Sequence, residues 1–147
     1  MPGQFLMGFV VSILNIVIHA FAMTVVVQAV RMMGANANSP KQPVTFLIAV
    51  MLATVSILMV AHTSEVIVWS LAYAIVDAAP TGTDLVYFAF VNYTTLGYGD
   101  ITHVKSWQLL GPITAMNGLL LFGWSTAVIF EVLRRAMIRI NFVRSDY

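Results

Sequence analysis

Residues 94–100 read TTLGYGD, a stretch that places two glycines around one tyrosine and ends in a carboxylate. Glycine adopts backbone angles that other residues avoid, so Gly97 and Gly99 allow consecutive carbonyl groups to turn toward one axis. A row of such oxygens can replace the hydration shell of a cation. The stretch therefore predicts cation binding by the backbone, provided that the rest of the chain encloses it.

A second group of polar residues lies inside two apolar segments. Asn15 and His19 are one helical turn apart in the first segment, and His62 and Glu65 are similarly spaced in the second. An ionisable group inside a membrane span costs several kcal/mol unless it faces protein or water. A rise of about 1.5 Å per residue puts Asn15 about 24 Å and His62 about 28 Å above the same end of the bundle, so the two pairs are expected to meet. They form either an interhelical hydrogen-bond cluster, with Glu65 reaching the region of the short pore helix, or a proton-linked gate.

The elements that position these residues follow from the composition. The chain of 147 residues is 60% hydrophobic and 9% charged, whereas soluble domains are about a quarter charged. Charged residues are absent from 5–30, 44–64 and 106–130, which are runs of 26, 21 and 25 residues. About 20 apolar residues cross a bilayer as a helix. Because the runs are apolar on nearly every face, we expect three transmembrane helices and no barrel strands, with the first helix retained as a span.

The same composition excludes several classes of function. Cysteine is absent, so disulfides and thiolate chemistry are excluded, and a net charge of +1 gives no support to nucleic-acid binding. The sequence contains no phosphate-binding loop and no plausible nucleophile triad. We therefore expect no enzymatic activity, no cofactor and no nucleic-acid partner.

The basic residues predict the orientation of the chain. With three spans, the loop at 34–43 and the C-terminal tail lie on one side, and six of the seven basic residues then share that side. The positive-inside rule makes it the cytoplasm. The N-terminus and TTLGYGD are therefore expected outside a cell membrane, and the small size of the chain favours a bacterial inner membrane.

The segment before TTLGYGD predicts a short helix that enters the membrane and returns. The second apolar region extends to about residue 79, a helix of about 54 Å that must tilt, protrude or break near His62–Glu65. Thr83 as N-cap or Asp84 in the first turn indicates a helix start. The next apolar turns are too few to span, and irregular backbone at membrane depth must be buried in protein or line a water-filled cavity. Other subunits are therefore expected to enclose the loop.

Thr95, Leu96, Gly97, Tyr98, Gly99 and Asp100 match the T-x-G-Y-G signature, usually followed by an acid, so the sequence resembles the potassium channel family over about residues 66–135. The resemblance implies an all-α membrane protein with a re-entrant pore helix and filter loop, and a homotetramer, because one chain carries a single signature. It implies that potassium ions are the permeant ligand. The implied ion-binding residues are Thr95, Leu96, Gly97, Tyr98 and Gly99, and those supporting the filter are Tyr87, Asn92, Thr94 and Asp100.

The sequence departs from the usual family pattern at several positions. Leu96 replaces a common valine, Tyr87 and Phe88 replace two tryptophans, and Asn92 replaces a common threonine. The partner that Asp100 has in some members is missing, so we expect Asp100 to bond Tyr87. These changes leave potassium selectivity as the expectation and put the family's inactivation behaviour in doubt.

The third span resembles the inner helix of such channels. Gly118 is near the family's hinge position, with close helix packing as the alternative. If Gly118 faces its neighbour, helical spacing directs Phe122, Thr126 and Phe130 toward the cavity, with Phe130 as a hydrophobic constriction.

Two further positions have two interpretations each. Glu131 can pair with Arg134 and Arg135 on its own helix or attract cations at the inner mouth. His103 replaces a frequent proline and is either a solvated loop residue or an external pH sensor.

The predicted organisation has three parts: an extra span and loop at 1–43, a pore module at 44–135 (outer helix 44–79, pore helix 83–94, filter 95–100, inner helix 106–135) and a basic tail at 136–147. A passive potassium channel is the expected function. A potassium transporter subunit and a nonconducting or weakly selective channel-like protein are the alternatives.

Overall fold

The computed structural model describes residues 2–36 and 43–145. Within these ranges the chain forms no strand, and its elements in order are helix α1 (Pro2–Asn36), α2 (Pro43–Ile75), α3 (Leu85–Tyr93), a 3₁₀ turn (Lys105–Trp107) and α4 (Leu110–Ser145). Lys41, with the rest of residues 37–42, and residues 1, 146 and 147 lie outside the described residues.

Three of these helices are long and apolar enough to cross a membrane. The candidate spans are Pro2–Ala35, Val44–Ile75 and Lys105–Ile140, with mean hydropathies of 2.4, 2.6 and 1.6. Most of their large apolar side chains face outward, which suits lipid as the surrounding solvent. Within the described residues, the prediction of an all-helical chain with three helices that could span a membrane is confirmed.

Helix α2 is continuous through His62–Glu65, so the break considered there does not occur. The helix ends at Ile75 and not near residue 79. The reason is Asp77, which has a φ of 49°, while the Ala78 amide donates to the Tyr73 carbonyl at 3.0 Å. A left-handed residue followed by this bond is the Schellman arrangement that terminates helices.

Helix α3 is shorter than expected at both ends, spanning nine residues. Asp84 is itself the N-cap, because its Oδ1 accepts from the amides of Val86 at 3.0 Å and Tyr87 at 3.1 Å. Thr83 is therefore not the cap. Such a carboxylate satisfies amides that have no partner within the helix and interacts favourably with its dipole.

Helix α4 begins at Leu110 and not at residue 106, because the preceding residues turn in 3₁₀ geometry. The amide of Trp107 donates to the Val104 carbonyl at 2.9 Å. At its other end α4 continues to Ser145, through most of the segment expected to be a separate tail. Residues 136–145 contain neither glycine nor proline, so the helix has no reason to stop there.

The short helix α3 packs between α2 and α4, while α1 contacts both of these long helices. One core cluster surrounds α3 and includes Trp69, Tyr73, Phe88 and Tyr93. A second, smaller cluster near the other end joins Val26, Val50 and Val132. Close packing, and not expulsion of water, holds such helices together in lipid.

The two ends of the bundle differ in chemistry. At one end Gln4 Oε1 accepts from the Leu109 amide at 2.9 Å, which joins the start of α1 to the start of α4. At the other end Arg139 donates to the Gly34 carbonyl, and Arg31 and Arg135 line one shared cavity. Basic side chains of α1 and α4 therefore lie at the same end.

Candidate functional site

The TTLGYGD stretch adopts an alternating backbone conformation. The φ angle is positive at Thr95 (60°), Gly97 (55°) and Gly99 (77°). It is not positive at Leu96 and Tyr98 between them. A β-branched threonine rarely adopts positive φ, and such strain persists where the surrounding structure or function requires it. The two glycines adopt positive φ without that strain, because they lack a Cβ atom.

This stretch continues from the C-terminus of α3 and is exposed on the single chain. The amides of Thr94 and Leu96 donate to the carbonyls of Phe90 at 2.9 Å and Val91 at 3.0 Å, which fixes where the stretch begins. Every residue from 94 to 100 is exposed, and Tyr98 reaches 68%. The helix thus positions a loop that one copy of the chain leaves uncovered.

The residues expected to support the stretch have different partners. The Tyr87 hydroxyl donates to Asp100 Oδ2 at 3.0 Å, the bond expected from the sequence. Asn92 and Thr94 instead donate to carbonyls of their own helix, those of Phe88 at 2.8 Å and Phe90 at 2.7 Å. Only the Tyr87 side chain reaches across to the end of the loop.

His103 packs behind the stretch and is not a solvated loop residue. Its ring centroid lies 4.4 Å from that of Phe88 and 4.9 Å from that of Tyr73. Burial lowers the pKa of His103 from 6.5 to about 4, because an imidazolium loses its hydration there. The ring also borders a cavity of about 560 Å³, whose lining includes Asn92, Thr95 and Gly97.

Gly118 marks the closest approach of α4 to α3. A Cβ atom at this position would overlap the carbonyl oxygen of Tyr93. The structure therefore gives Gly118 a packing role at the helix crossing. Phe122, one turn further, lies against His62 at 4.5 Å and Tyr93 at 5.3 Å between ring centroids. It packs among the helices and not on the open side of α4.

Thr126 and Phe130 lie on the exposed side of α4. The Thr126 hydroxyl donates to the Phe122 carbonyl at 2.9 Å. Glu131 pairs with Arg134 at 2.8 Å and with Arg135 at 2.5 Å, so its same-helix ion pairs are formed.

The structure brings the four predicted polar residues of α1 and α2 together. His19 Nδ1 lies 2.8 Å from Glu65 Oε1, and His62 Nδ1 lies 2.9 Å from Glu65 Oε2. Asn15 Nδ2 donates to the Glu65 carbonyl at 3.3 Å. Asn15, His19 and Glu65 are completely buried. One carboxylate thus accepts from histidines on two helices.

Three members of this cluster were missed by the sequence analysis. Tyr93, the last residue of α3, donates its hydroxyl to Glu65 Oε2. Ser125 Oγ lies 2.9 Å from His62 Nε2 and 3.3 Å from His19 Nε2. Asn117 Oδ1 accepts from Asn15 Nδ2 at 3.1 Å. Asn117 and Ser125 are polar residues within the apolar run of α4, and that was the signal available.

The cluster continues toward the C-terminal end of α2. Asn117 Oδ1 also accepts from Trp69 Nε1 at 3.1 Å, and the hydroxyls of Tyr73 and Thr114 lie 2.6 Å apart. Hydrogen bonds therefore join α1, α2, α3 and α4 at one level of the bundle. We call the set Asn15, His19, His62, Glu65, Tyr93, Asn117 and Ser125 the buried polar cluster.

Comparison with known proteins agrees with this arrangement. A sequence model of the family described as ion channel matches residues 57–135, which is more than half of the chain. The matched region contains most of α2, all of α3 and TTLGYGD, and α4 as far as Arg135. Searches of curated proteins and of solved structures gave no significant match. Through this match over residues 57–135, the chain belongs to the ion channel family, and the matched region is like the two-helix pore domain of potassium channels.

Proposed function

We propose that the protein is a potassium-selective channel that conducts ions passively through a pore made by four identical chains. The observation that carries the proposal is the alternating φ of residues 95–99 in an exposed loop directly after α3. Carbonyl oxygens of Thr95, Leu96, Gly97 and Tyr98, together with the Thr95 hydroxyl, then coordinate dehydrated potassium ions.

The exposed backbone supports assembly of several copies. Non-helical backbone at membrane depth is tolerated only when it is buried in protein or lines a water-filled cavity, and one copy leaves all of residues 94–100 exposed. Four copies around one axis provide both conditions, with the carbonyls facing the axis. The exposed Tyr98 ring of one copy and the cavity beside His103 of the next are suitable packing partners.

The placement of charge supports one orientation in a cell membrane. Arg31, Arg135 and Arg139 lie at one end of the bundle, and basic residues favour the cytoplasmic side. The N-terminus and the TTLGYGD loop then lie on the outer side and the end of α4 on the inner side. On the exposed side of α4, Thr126 lines the inner cavity and Phe130 forms its constriction.

Rubidium uptake into liposomes tests this function. Purified protein is reconstituted with internal potassium, and tracer rubidium is added outside in the presence of excess potassium or sodium. We expect uptake that external potassium suppresses and external sodium does not. Gly97→Ala should abolish the flux, because the position requires a φ of 55° that alanine adopts only with strain.

Gly123→Ala is the matched control, because a Cβ atom there meets nothing within 4 Å. It should retain the flux of the parent. Flux that sodium suppresses equally would remove the claim of selectivity. The absence of flux in correctly folded protein would favour a nonconducting protein.

A further inference from the structure

We propose that the buried polar cluster contains a site for one divalent transition-metal ion of the zinc class. The ligands are His19 Nδ1 from α1, and His62 Nδ1 and the Glu65 carboxylate from α2. These three residues each offer a ligand atom within 4.8 Å of the others. This site goes beyond the proposed conduction and does not depend on it.

The donor set matches the preferences of zinc. Two imidazoles and one carboxylate form a common zinc set with a fourth position left for another ligand. The Tyr93 hydroxyl bonds Glu65 and lies 2.9 Å from His62 Nδ1, so it is close enough to take the fourth position. Hard cations such as magnesium, calcium and potassium prefer oxygen ligands, which two imidazoles do not supply.

The distances among the ligand atoms of His19, His62 and Glu65 must change somewhat before these atoms can surround an ion. Ligands about 2.0–2.1 Å from a tetrahedral zinc ion are separated by about 3.3 Å. The present separations from Glu65 oxygens are 2.8 Å for His19 and 2.9 Å for His62. These two contacts must therefore each open by about half an ångström, while the two Nδ1 atoms, which lie within 4.8 Å of one another, must also reach a separation of about 3.3 Å. His62 retains 13% exposure of its side chain and is the open edge of the site.

The number of hydrogen atoms available to the His19 and His62 rings favours an ion bound at their Nδ1 atoms. Each ring turns Nδ1 toward Glu65 and Nε2 toward Ser125. The hydroxyl hydrogen of Tyr93 is donated to Glu65 Oε2 and a carboxylate only accepts, so without an ion both rings donate from Nδ1, and two neutral rings then have acceptors at Nε2. The single hydroxyl hydrogen of Ser125 can serve only one of them. One ring must then lack a partner or carry an extra proton.

A bound ion resolves this conflict. With metal at both Nδ1 atoms, both rings carry hydrogen at Nε2, and the Ser125 oxygen accepts both through its two lone pairs. Metal-ligating histidines usually donate their other N–H in this way. The ion would tie α1 to the pore domain at the residue directly before TTLGYGD, because Tyr93 ends α3.

Metal binding to detergent-purified protein lacking an oligohistidine tag tests the site. Zinc content after dialysis gives the stoichiometry, and cobalt titration gives visible absorption bands that report tetrahedral nitrogen and oxygen ligands. We expect one ion per chain. His19→Gln and Glu65→Gln should abolish the bands. His103→Gln is the matched control, since His103 is the third of the three histidines and lies outside the cluster, and it should bind as the parent does.

Ser125→Ala keeps the test decisive if the ligand variants fail to fold. It removes only the partner of the two Nε2 atoms, so cobalt affinity should fall about 10- to 100-fold with the bands retained. Size-exclusion profiles check assembly of each variant. Stoichiometric binding that survives both His19→Gln and Ser125→Ala overturns the proposal. Folded parent protein that binds no ion also overturns it.

Discussion

The TTLGYGD loop and the buried polar cluster are neighbours in the chain, since Tyr93 ends α3 and belongs to the cluster while Thr94 begins the loop. They differ in whether their polar groups are buried or exposed within one chain. In the cluster, one carboxylate, that of Glu65, accepts hydrogen bonds from His19, His62 and Tyr93 inside the helix bundle. In the loop, all seven residues are exposed, and Thr95 holds a positive φ that a β-branched side chain disfavours.

The difference shows which polar groups find their partners within one chain and which remain exposed. The cluster has its partners on α1, α2, α3 and α4 of the same copy, so it stabilises the fold of a single subunit. The loop is exposed in one chain, and under the proposed function it becomes enclosed only when several copies assemble. Substitutions in the first region should therefore affect folding first, and those in the second should affect conduction first.

Removing the carboxylate at the centre of the cluster should have the largest effect on stability. Glu65→Ala leaves two histidines and Tyr93 without their shared acceptor, and each buried group that loses its hydrogen-bond partner costs about 1–3 kcal/mol. The thermal midpoint of the detergent-solubilised protein measures this loss. Glu131→Ala is the control, because its partners Arg134 and Arg135 are exposed and such pairs contribute little. Equal falls in the thermal midpoint of the two variants would contradict the claimed difference between the buried cluster and the exposed ion pairs.

Filling the contact between α3 and α4 should have a smaller effect. Gly118→Ala places a methyl group against the Tyr93 carbonyl, and overpacking of this kind costs about 1–3 kcal/mol. The same thermal measurement applies, with Gly123→Ala as the matched control because its Cβ meets no atom within 4 Å. If Gly118 served only as a hinge, its variant would lose flux without losing stability.

Acidification should destabilise the protein through His103 behind the loop. Its pKa is about 4 in the folded protein and about 6.5 when unfolded. As pH falls from about 6.5 to 4, the unfolded chain binds a proton that the folded chain refuses, so stability decreases. Thermal midpoints of the parent should therefore fall more steeply over this range than those of His103→Gln. Parallel pH profiles would show that His103 is not buried as the structure has it.

Much of the fold could be predicted from the sequence because long charge-free runs have a single economical structure in a membrane. The span count followed from that argument. The boundaries did not, because they depend on local backbone chemistry: a left-handed Asp77 ends α2, and Asp84 caps α3 with its own side chain. The continuation of α4 beyond residue 135 was missed because basic residues were interpreted as a separate tail.

The cluster was predictable in part for a related reason. Ionisable residues in apolar spans are costly, so His19, His62 and Glu65 were visible as a set that had to meet. Ser125 and Tyr93 were not, because a serine or tyrosine in an apolar helix needs no charged partner. Likewise, Phe122 was assigned to a face by helical spacing alone, whereas contacts with His62 and Tyr93 from two other helices decide its place.

The central claim is that four copies of residues 95–98 coordinate potassium ions along one axis. Crystals grown in rubidium would test it most directly, because anomalous scattering locates each ion. We predict a fourfold assembly with a row of rubidium peaks on its axis, coordinated by oxygens of Thr95, Leu96, Gly97 and Tyr98. An assembly without fourfold symmetry, or an axis without rubidium beside these residues, would contradict the account.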